Sequence, residues 1–596
     1  MTAFAAIVLK HGQTHADGAA VAALSDLGDA VAAAGGRPAS VQASGRCALV
    51  AAPLHRNDPP APAQLPSGVC VTGQILLEEP RHLAATLAMP WPANGAELVG
   101  CAYDRWGDGC ADRLTGEYAF AVWDPREQTL VCARDGLGIR LLYVADTPHA
   151  IVVTNVIAAA LRHPGVAYDL DEPALLAFLA HGGAADEVRT CYRGIRVLPP
   201  GHTLTLRGRD LAATTLRRHW RFPIGDGVHR TPDGILAEYR SVLADAVCDR
   251  LDDDGTSIFL SGGIDSTTMA AAAREVAPPR KLHAITVRYP RLVADAELPY
   301  ARAAAEHLAL PQTVLDADAH GPWYVDAADP PPSVPLDEPM LAEWRDTLAC
   351  AAEHGTVSLY GEDGDALLRP PGWRGLRNSA SLASIGLAAA QYAVSEKRRP
   401  YVGLRWRERI GRVSTAHREL PRWLTSEARA ALESREPGTV LGLAPDPLAP
   451  HPTRPEAQGL LTSTTISRVF AATIAGETTR RRVELRFPLM DTRLMRFVVS
   501  IPAIPWCQEK LLPRRAYRGR LPESVLQRPK TPLAGFNEAY VAAWRGARPG
   551  PPAVSDRIGA WVDSRECARI LEEGTSWDVM AAWRVSVLSS WLACIR

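Results

Sequence analysis

Residues 259–268 read FLSGGIDSTT, which places two glycines between a short apolar run and a stretch that favours a helix. The apolar residues 258–260 predict a strand, and the following STTMAAAAREV predicts a helix with Ser and Thr in its first turn. Glycines at such a junction let backbone N–H groups approach an anion closely, and the helix N-terminus adds partial positive charge. The stretch therefore predicts a phosphate-binding loop.

This loop also excludes one common kind of phosphate chemistry. It lacks the Gly-Lys-Ser/Thr ending of a Walker P-loop, which argues against a γ-phosphate transfer enzyme of that kind. Asp265 adds a hard oxygen that could hold Mg²⁺ against bound phosphates. The alternative interpretation is a chance Ser/Gly turn that Asp265 caps.

Around the loop, the sequence pattern changes once along the chain. The first ~220 residues contain short β-like runs such as EYAFAVWD and HTLTLR, separated by Gly and Pro. From about Thr231, strands alternate with helices, including a helix predicted over residues 337–354, and beyond Ala380 nearly everything favours helix. We expect a mixed α/β protein with a layered antiparallel β domain and a parallel α/β domain rich in helices.

The domain boundary is expected within the loop-rich residues 219–234. This gives one domain over residues 1–222 and a second over residues 232–596, with a helical region at about 380–480. A chain of 596 residues is too long for one ordinary core, since single domains usually have on the order of 100 to 200 residues.

Composition narrows the functional class. The net charge is −1, and no run of about 18 apolar residues is present, so we expect neither nucleic-acid binding nor a membrane span. The eleven cysteines form no CxxC pair and no cluster at zinc spacing. The stretch MTAFAAIVLKHG lacks a signal-peptide pattern and predicts a strand. A cytoplasmic protein with reduced thiols is expected.

One part of the chain is strongly basic. Residues 480–530 contain thirteen Lys or Arg against four Asp or Glu, a net charge of +9. A solvated helix face and an anion-binding site are both compatible with this pattern. Lysine itself is scarce, with Lys10, Lys281, Lys397, Lys510 and Lys530 as the only five.

Four motifs, taken in chain order, resemble the asparagine synthetase B superfamily of N-type ATP pyrophosphatases. LTGEYAFAVWDPREQTLVCARDGLGIR is similar to its N-terminal hallmark, SGGIDS to its pyrophosphate loop, YGEDGDALL to its Ser-Gly-Glu-Gly-x-Asp loop, and ELRFPLMD to its Glu-x-Arg-x-Pro-x-x-Asp segment. The resemblance covers most of the chain. It implies a glutaminase-like (Ntn-type) first domain and a second domain that activates a carboxyl group as its adenylate and releases pyrophosphate.

Departures from the family pattern indicate where the amine comes from. Glutamine-dependent members begin Met-Cys-Gly, the cysteine being the glutaminase nucleophile, whereas this sequence begins Met1-Thr2-Ala3. The family's glutamine-binding Asn-Gly-Glu is replaced by Thr72-Gly73-Gln74. We expect a first domain that keeps its fold without producing ammonia, so that another molecule or the substrate itself supplies the amine.

Two branches of the superfamily have that property, β-lactam synthetases and lasso peptide cyclases. The β-lactam branch has Tyr at the position of Glu362, whereas the length near 600 residues and the stretch LPRRAYRGRLPESVLQRPKTPL resemble lasso cyclases. The leading hypothesis is an ATP-dependent lasso peptide cyclase. Such an enzyme adenylates an Asp or Glu side chain of a precursor peptide and joins it to the N-terminal amine as a macrolactam.

Other functions stay open. The alternatives are an asparagine or β-lactam synthetase acting on a small amino acid, and a catalytically inactive scaffold that binds a peptide.

The leading hypothesis implies a precursor peptide as substrate, with a leader peptidase and a leader-binding protein as partners. It also implies a wide peptide pocket in the helical region, near the basic stretch EKRRPYVGLRWRERIGR.

The resemblance implies a role for each site residue. ATP is expected to place its adenine against the backbones of Val287 and Gly361, and Asp265 and Asp365 are expected to hold Mg²⁺. Its phosphates are expected on the loop formed by Leu260, Ser261, Gly262, Gly263, Asp265 and Ser266.

The resemblance also implies which residues take a proton from the amine and which stabilise the oxyanion formed during amide synthesis. Lys530, in RPKTP, matches the family's catalytic lysine and would stabilise an oxyanion. Glu362 is the candidate base, and Asp363 or Glu484 could share that task. Asp337 and Glu338 are expected either to cap the helix that follows them or to line the peptide site.

Overall fold

The computed structural model describes residues 2–10, 18–53, 62–91, 93–183, 186–226, 228, 230–292, 297–318, 332–402, 420–463, 483–529, 536–547 and 554–595. Its N-terminal part contains two six-stranded antiparallel sheets. The first has the order β10-β8-β9-β1-β3-β2, with β1 Ala3–Leu9, β2 Ser40–Ser44, β3 Cys47–Ala52, β8 Tyr143–Asp146, β9 Ala150–Thr154 and β10 Ile195–Val197. The second has the order β12-β11-β7-β6-β5-β4, with β4 Ala63–Gln64, β5 Cys70–Leu77, β6 Gly116–Asp124, β7 Thr129–Arg134, β11 His202–Arg207 and β12 Ala213–Arg218.

The two sheets face each other, and helices cover their outer faces. Strand β1 is buried along its whole length, with Phe4 and Val8 in the core between the sheets and Ile7 in the core under the helices. This alternation follows from the period of two along a strand, and it explains why AFAAIVL is apolar at every position. The helices of this part are α1 Gly18–Gly35, α2 Pro80–Thr86, α3 Gly95–Trp106, α4 Ile157–Arg162 and α5 Glu172–His181. The result is a four-layer helix–sheet–sheet–helix domain, which confirms the predicted layered antiparallel architecture.

The C-terminal part is built on a five-stranded parallel sheet. Its order is β15-β14-β13-β16-β17, with β13 Thr256–Phe259, β14 Leu282–Arg288, β15 Gln312–Asp316, β16 Val357–Leu359 and β17 Glu484–Arg486. The helices that alternate with the first strands are α6 Pro232–Cys248, α7 Ile264–Val276, α8 Leu298–His307 and α9 Leu341–Glu353. The chain adds strands to one side of β13 and then returns to add β16 and β17 on the other. Ligands of such sheets bind at this switch point, beyond the carboxyl ends of the strands.

The rest of the described C-terminal part is helical, as predicted. Its helices are α10 Gly364–Leu367, α11 Trp373–Ser379, α12 Leu382–Glu396, α13 Ser426–Glu433, α14 Pro455–Leu461, α15 Thr492–Ser500, α16 Ala503–Trp506, α17 Leu511–Ala516, α18 Glu523–Gln527, α19 Phe536–Ala547, α20 Ser564–Glu573 and α21 Ser576–Cys594. Among the helices of the described ranges, none combines the length and apolarity needed to cross a bilayer. Strand β17, within ELRFPLMD, was not predicted, because a three-residue strand has no recognisable period.

Two further expectations can be compared with these elements. The helix predicted over residues 337–354 begins later, at Leu341, because the residue before Pro339 is disfavoured in helical conformation. Between β12 and α6 the described residues form neither helix nor strand, and the domain boundary within residues 219–234 stays a prediction. Much of the basic stretch EKRRPYVGLRWRERIGR lies outside the described residues.

A buried ion network joins the two parts of the chain. Arg140, which precedes β8, pairs with Glu117 of β6 at 2.8 Å and with Glu484 of β17 at 2.9 Å. Arg250, which follows α6, pairs with the same Glu117 at 2.8 Å and with Asp491 at 2.7 Å. These five side chains are nearly inaccessible to solvent. Glu117 therefore links the antiparallel domain to the parallel sheet through two arginines.

Candidate functional site

A cleft of about 1150 Å³ lies at the switch point of the parallel sheet. The loop between β13 and α7 and the loop between β16 and α10 form its floor. The two loops touch, since a Cβ placed on Gly364 would lie 2.6 Å from the Asp265 carboxyl carbon. Of the residues expected to bind ATP, seven line the cleft: Leu260, Ser261, Gly263, Asp265, Ser266, Val287 and Gly361. Their assignment to adenine and phosphates stays a prediction.

Gly262 has a different place from its neighbours. It does not line the cleft but packs against the start of α8, with a left-handed backbone at φ 72°. A Cβ there would lie 2.7 Å from both the Ala301 nitrogen and the Glu297 oxygen. The loop is further fixed by the Ser261 and Ser266 hydroxyls, which are 3.1 Å apart. Gly262 thus shapes the loop, and its assignment to phosphate binding stays a prediction.

Replacing Gly262 with alanine is expected to destabilise this loop. A residue with a Cβ in the left-handed conformation lowers the free energy of unfolding by about 1–2 kcal/mol. The close contacts of the new Cβ with the Ala301 nitrogen and the Glu297 oxygen would lower it further. We expect a lower thermal unfolding midpoint and weaker ATP binding, measured by calorimetric titration. The matched control is Gly386→Ala in α12, where a Cβ meets nothing within 4 Å and alanine favours the helix. If the two variants had the same unfolding midpoint and the same ATP affinity, the role given to Gly262 would be contradicted.

Two carboxylates of the cleft converge on one positive charge. The Lys510 ammonium forms ion pairs with Asp265 and with Asp365, the latter at 2.6 Å. Mg²⁺ is commonly bound by one or two carboxylates together with substrate phosphates, so this oxygen pair fits the ion. Within the described ranges, no cluster of three or more His, Cys, Asp or Glu side chains is arranged so that it could hold a metal ion. The pair is therefore the best candidate for the expected Mg²⁺ site.

Lys510 itself was not among the sequence-predicted site residues. Its position depends on an unusual backbone, because Glu509 and Lys510 both have positive φ, 46° and 58°. Such conformations cost energy in residues with a Cβ and concentrate at functional sites. The available signals were the scarcity of lysine and the basic stretch 480–530, of which Lys510, Arg514 and Arg528 line the cleft.

The three candidate bases have different surroundings. Glu362 lines the cleft, and burial raises the pKa of its carboxyl, with further increases from Asp265 and Asp365 and a decrease from the Tyr360 hydrogen bond. Asp363 is turned away from the cleft, and burial raises its pKa to about 7. Glu484 lies in the ion network, paired with Arg486 as well as Arg140. Of these candidates, only Glu362 can face a substrate in the cleft.

The expectation that Asp337 or Glu338 caps the following helix is wrong. Met340 occupies the N-cap position of α9, and no side chain caps that helix. The Glu338 carboxylate accepts a hydrogen bond from the Met340 N–H at 3.1 Å and lines the cleft. Asp337 instead pairs with Arg584 at 2.8 Å. Lys530, the expected oxyanion-stabilising residue, lies outside the described residues, although the preceding Pro529 lines the cleft.

The residues expected to replace the family's glutamine pocket, among them Gln74, are hydrogen-bonded to one another. The Asn155 amide donates to the Thr2 carbonyl and accepts from the Phe4 N–H, both at 2.9 Å. Gln74 is buried, accepts a hydrogen bond from Asn155 and donates one to Glu484, both at 3.4 Å. Gln74 is thus paired on both sides of its amide, and its correspondence to the family's glutamine-binding carboxylate stays a prediction.

Comparison with known proteins finds similar sequences for both parts of the chain. The glutamine amidotransferase domain model matches residues 89–220. A putative asparagine synthetase [glutamine-hydrolyzing] of Mycobacterium bovis is 26% identical over 550 residues, 83% of this chain and 79% of that protein. Asparagine synthetase [glutamine-hydrolyzing] 3 of Bacillus subtilis is 30% identical over 182 residues, which cover 30% of this chain and only 29% of that relative.

A likeness to the solved glutamine phosphoribosylpyrophosphate amidotransferase of B. subtilis covers 52% of this chain and 65% of that one, at 14% identity. Its TM-score of 0.25 is too low to support any inference. The asparagine synthase model, in contrast, matches residues 238–593, more than half of the chain. On that match, the chain belongs to the asparagine synthase family and is an ATP-dependent carbon–nitrogen ligase.

Proposed function

We propose that this ligase joins an activated carboxylate to an amine whose nitrogen does not come from glutamine. The observation that supports this most is the pairing of Gln74 with Asn155 and Glu484, where a glutaminase of this family would present a carboxylate to its ligand. Thr2, and not a cysteine, directly precedes β1, at the position where the glutamine-dependent members have their nucleophile. The amine then belongs to the acceptor substrate or is free ammonia.

The cleft residues suggest how the first step proceeds. A substrate carboxylate attacks the α-phosphorus of ATP, an acyl-adenylate forms, and pyrophosphate leaves. The loop from Ser261 to Ser266 offers N–H groups to the phosphates, and Lys510 offers an ammonium. Mg²⁺ held by Asp265 and Asp365 would screen the phosphate charge that otherwise repels the attacking carboxylate.

In the second step the amine attacks the acyl-adenylate carbonyl, the amide bond forms, and AMP leaves. An ammonium is not nucleophilic, so a base must take a proton, and Glu362 is the candidate that faces the cleft. Its raised pKa makes the carboxylate a stronger base than an ordinary exposed glutamate. Lys530 would stabilise the oxyanion that develops on the carbonyl.

The finer proposal concerns the substrate. Sites for small molecules usually have about 300–1000 Å³, and this cleft is larger, with room for a nucleotide and a further substrate. That size accommodates ATP with either a small amino acid or part of a peptide. We propose a lasso peptide cyclase, which closes a macrolactam between an Asp or Glu side chain and the N-terminal amine of a precursor peptide. A leader peptidase and a leader-binding protein would then be its partners.

A second candidate is an asparagine synthetase that uses free ammonia. The comparisons favour an asparagine synthetase over the peptide cyclase, because both relatives described above are named asparagine synthetases. The use of free ammonia is our inference from the pairing of Gln74, since the names of these relatives say glutamine-hydrolyzing. A β-lactam synthetase fits less well, since Glu362 stands where that branch has Tyr. An inactive scaffold does not explain why the loop serines and the two aspartates converge on one cleft.

Pyrophosphate release separates these candidates. The full chain with Mg²⁺ and ATP is assayed with aspartate plus ammonium, with aspartate plus glutamine, and with linear peptides that have a free N-terminus and an internal Asp or Glu. We expect no stimulation by glutamine, and release with peptides whose products lack one water. N-acetylated peptides are the matched control, because they can be adenylated but not cyclised. Glutamine-dependent ligation would contradict the proposal, and asparagine formed from ammonium alone would select the second candidate.

Lys530 can be tested in the same assay. Lys530→Ala is expected to leave ATP binding intact and to lower amide formation by about 10²–10³-fold, the usual loss for one oxyanion donor. The product is quantified by mass spectrometry, and ATP affinity by calorimetric titration. Lys281→Ala is the control, because Lys281 pairs only with the exposed Asp253 in the described structure. Amide formation at the unaltered rate would exclude Lys530 from the chemistry.

A further inference from the structure

A second cavity, of about 450 Å³, lies outside the cleft. Helices α5, α20 and α21 line it together with residues 337–339 and 421–423. Most of its wall is apolar, formed by Pro339, Pro421, Trp423, Ile570, Trp577 and Met580. Trp577 is 60% exposed, although a side chain of this size is normally well buried.

The two cavities share a wall that is one chain thick. Asp337 and Pro339 line the second cavity, whereas Glu338 and Met340 line the cleft. Successive residues of this segment thus line the two cavities in turn. A molecule bound in the cleft and one bound in the second cavity would therefore lie on the two faces of the same segment.

This shared wall is held in place by contacts with helices on both sides. Arg584 of α21 pairs with Asp337 and also donates to the Ala180 carbonyl at the end of α5, at 3.1 Å. The Tyr540 hydroxyl donates to the Pro339 carbonyl, and the Trp591 indole to the Pro332 carbonyl at 3.1 Å. The cavity is thus preformed, which lowers the entropic cost of binding.

The chemistry of the lining identifies the kind of ligand. The Asp337 carboxylate pairs with Arg584, and Arg422 and Asp578 add one charge of each sign. The rest of the wall is apolar, mainly tryptophan, methionine, isoleucine and proline. Trp, Met and Arg are the residues enriched where proteins bind other chains, and Met adapts to ligands of different shape. Bound phosphate is disfavoured, because the wall is mainly apolar and the charges of Arg422 and Arg584 are balanced by Asp337 and Asp578.

We propose that the second cavity binds an apolar, aromatic-containing segment of the peptide substrate while the carboxylate of the same peptide is activated in the cleft. The inference rests on the proposed peptide ligase function and adds a specificity site to it. The peptide reaches both cavities around the edge of residues 337–340. Anchoring one segment fixes the remainder of the peptide near the adenylate, which raises the effective concentration of the reacting groups.

Binding can be measured independently of catalysis. The probes are two fluorescein-labelled synthetic peptides of equal length, each with a free N-terminus and one Asp, whose C-terminal halves are rich either in Phe and Leu or in Ser and Asn. Fluorescence anisotropy with the full chain is expected to show at least tenfold tighter binding of the aromatic peptide. Trp577→Ala removes part of the wall and Ala581→Phe fills the cavity, so both are expected to abolish the preference.

The control is Trp91→Ala, which removes another exposed tryptophan, 44% accessible and far along the chain, and is expected to keep the preference. The inference is overturned if the wild type does not discriminate, or if both cavity variants still do. Pyrophosphate release with the same peptides is scored separately. Release without cavity dependence keeps the peptide ligase and overturns the cavity proposal, whereas cavity-dependent binding without release supports the cavity and defeats the ligase function.

Discussion

Asp265→Ala is expected to abolish pyrophosphate release, by about a thousandfold or more, whichever carboxylate substrate is supplied. Asp265 occupies the first turn of α7, directly after the glycine loop, and together with Asp365 it surrounds the Lys510 ammonium. Removing this carboxylate takes away one of the two carboxylates expected to hold Mg²⁺. It also leaves Lys510 with Asp365 as its remaining ion-pair partner in the described structure. The charge on the triphosphate is then less well screened, and attack at the α-phosphorus slows.

Two further variants separate this effect from general damage. Asp265→Asn keeps the shape of the side chain and removes only the charge, so it should fail nearly as completely if metal binding is the cause. Asp253→Ala is the control, since the Asp253 side chain is fully exposed and pairs with Lys281. Release is measured over a range of Mg²⁺ concentrations, with unfolding midpoints for each variant. Mg²⁺-dependent release at the wild-type rate in Asp265→Ala would exclude the metal role.

The parts of the site that the sequence predicted are local in the chain. The loop of residues 259–268 contains its own strand end, glycines and helix start, so its structure follows from neighbouring residues alone. The separate loop with Gly361 and Asp365 was predicted from its motif, and the parallel order of β13 and β16 brings it alongside. Both loops meet because the ends of adjacent parallel strands lie at one edge.

The parts that were not predicted depend on contacts between distant residues. Lys510 is 245 residues from Asp265, and it reaches the cleft through two left-handed residues that no pattern specifies. Glu484 was a candidate base because its motif contains an acid, yet strand β17 places it against Arg140 of the other domain. Glu338 resembled a helix cap, but the proline after it delays the helix and leaves the side chain in the cleft.

The largest effect on stability is expected from Arg250→Met. Arg250 is 1% exposed and pairs with Glu117, Asp491 and Glu78, so its removal leaves three buried carboxylates without their shared cation. Breaking a buried pair from one side typically lowers the free energy of unfolding by about 3–5 kcal/mol. Arg217→Met is the control, because the Arg217–Asp112 pair is exposed and such pairs contribute about 0–1 kcal/mol. Similar thermal unfolding midpoints for the two variants would contradict the importance of the network.

The loss in Arg250→Met should also depend on pH in a defined direction. Burial and the Asp491 charge raise the pKa of Glu78 to about 7, while Arg250 opposes this increase. Without Arg250 the folded-state pKa lies further above the unfolded value, so the folded variant binds protons more readily than the unfolded chain. Its stability relative to the wild type therefore rises as the pH is lowered from alkaline values towards about 7, below which Glu78 is protonated in both folded proteins. A deficit that grew over that range would contradict this.

The same network connects the N-terminal domain to the cleft. The Glu117 carboxylate also accepts the Phe487 N–H at 3.1 Å, and the Arg486 carbonyl just before it accepts the Tyr360 N–H at 3.0 Å. Tyr360 in turn hydrogen-bonds Glu362 and directly precedes the loop of the cleft. A charge at Glu117 is thus connected through β17 to the candidate base. Arg250→Met, tested below its unfolding temperature, should consequently lower amide formation as well, whereas Arg217→Met should not.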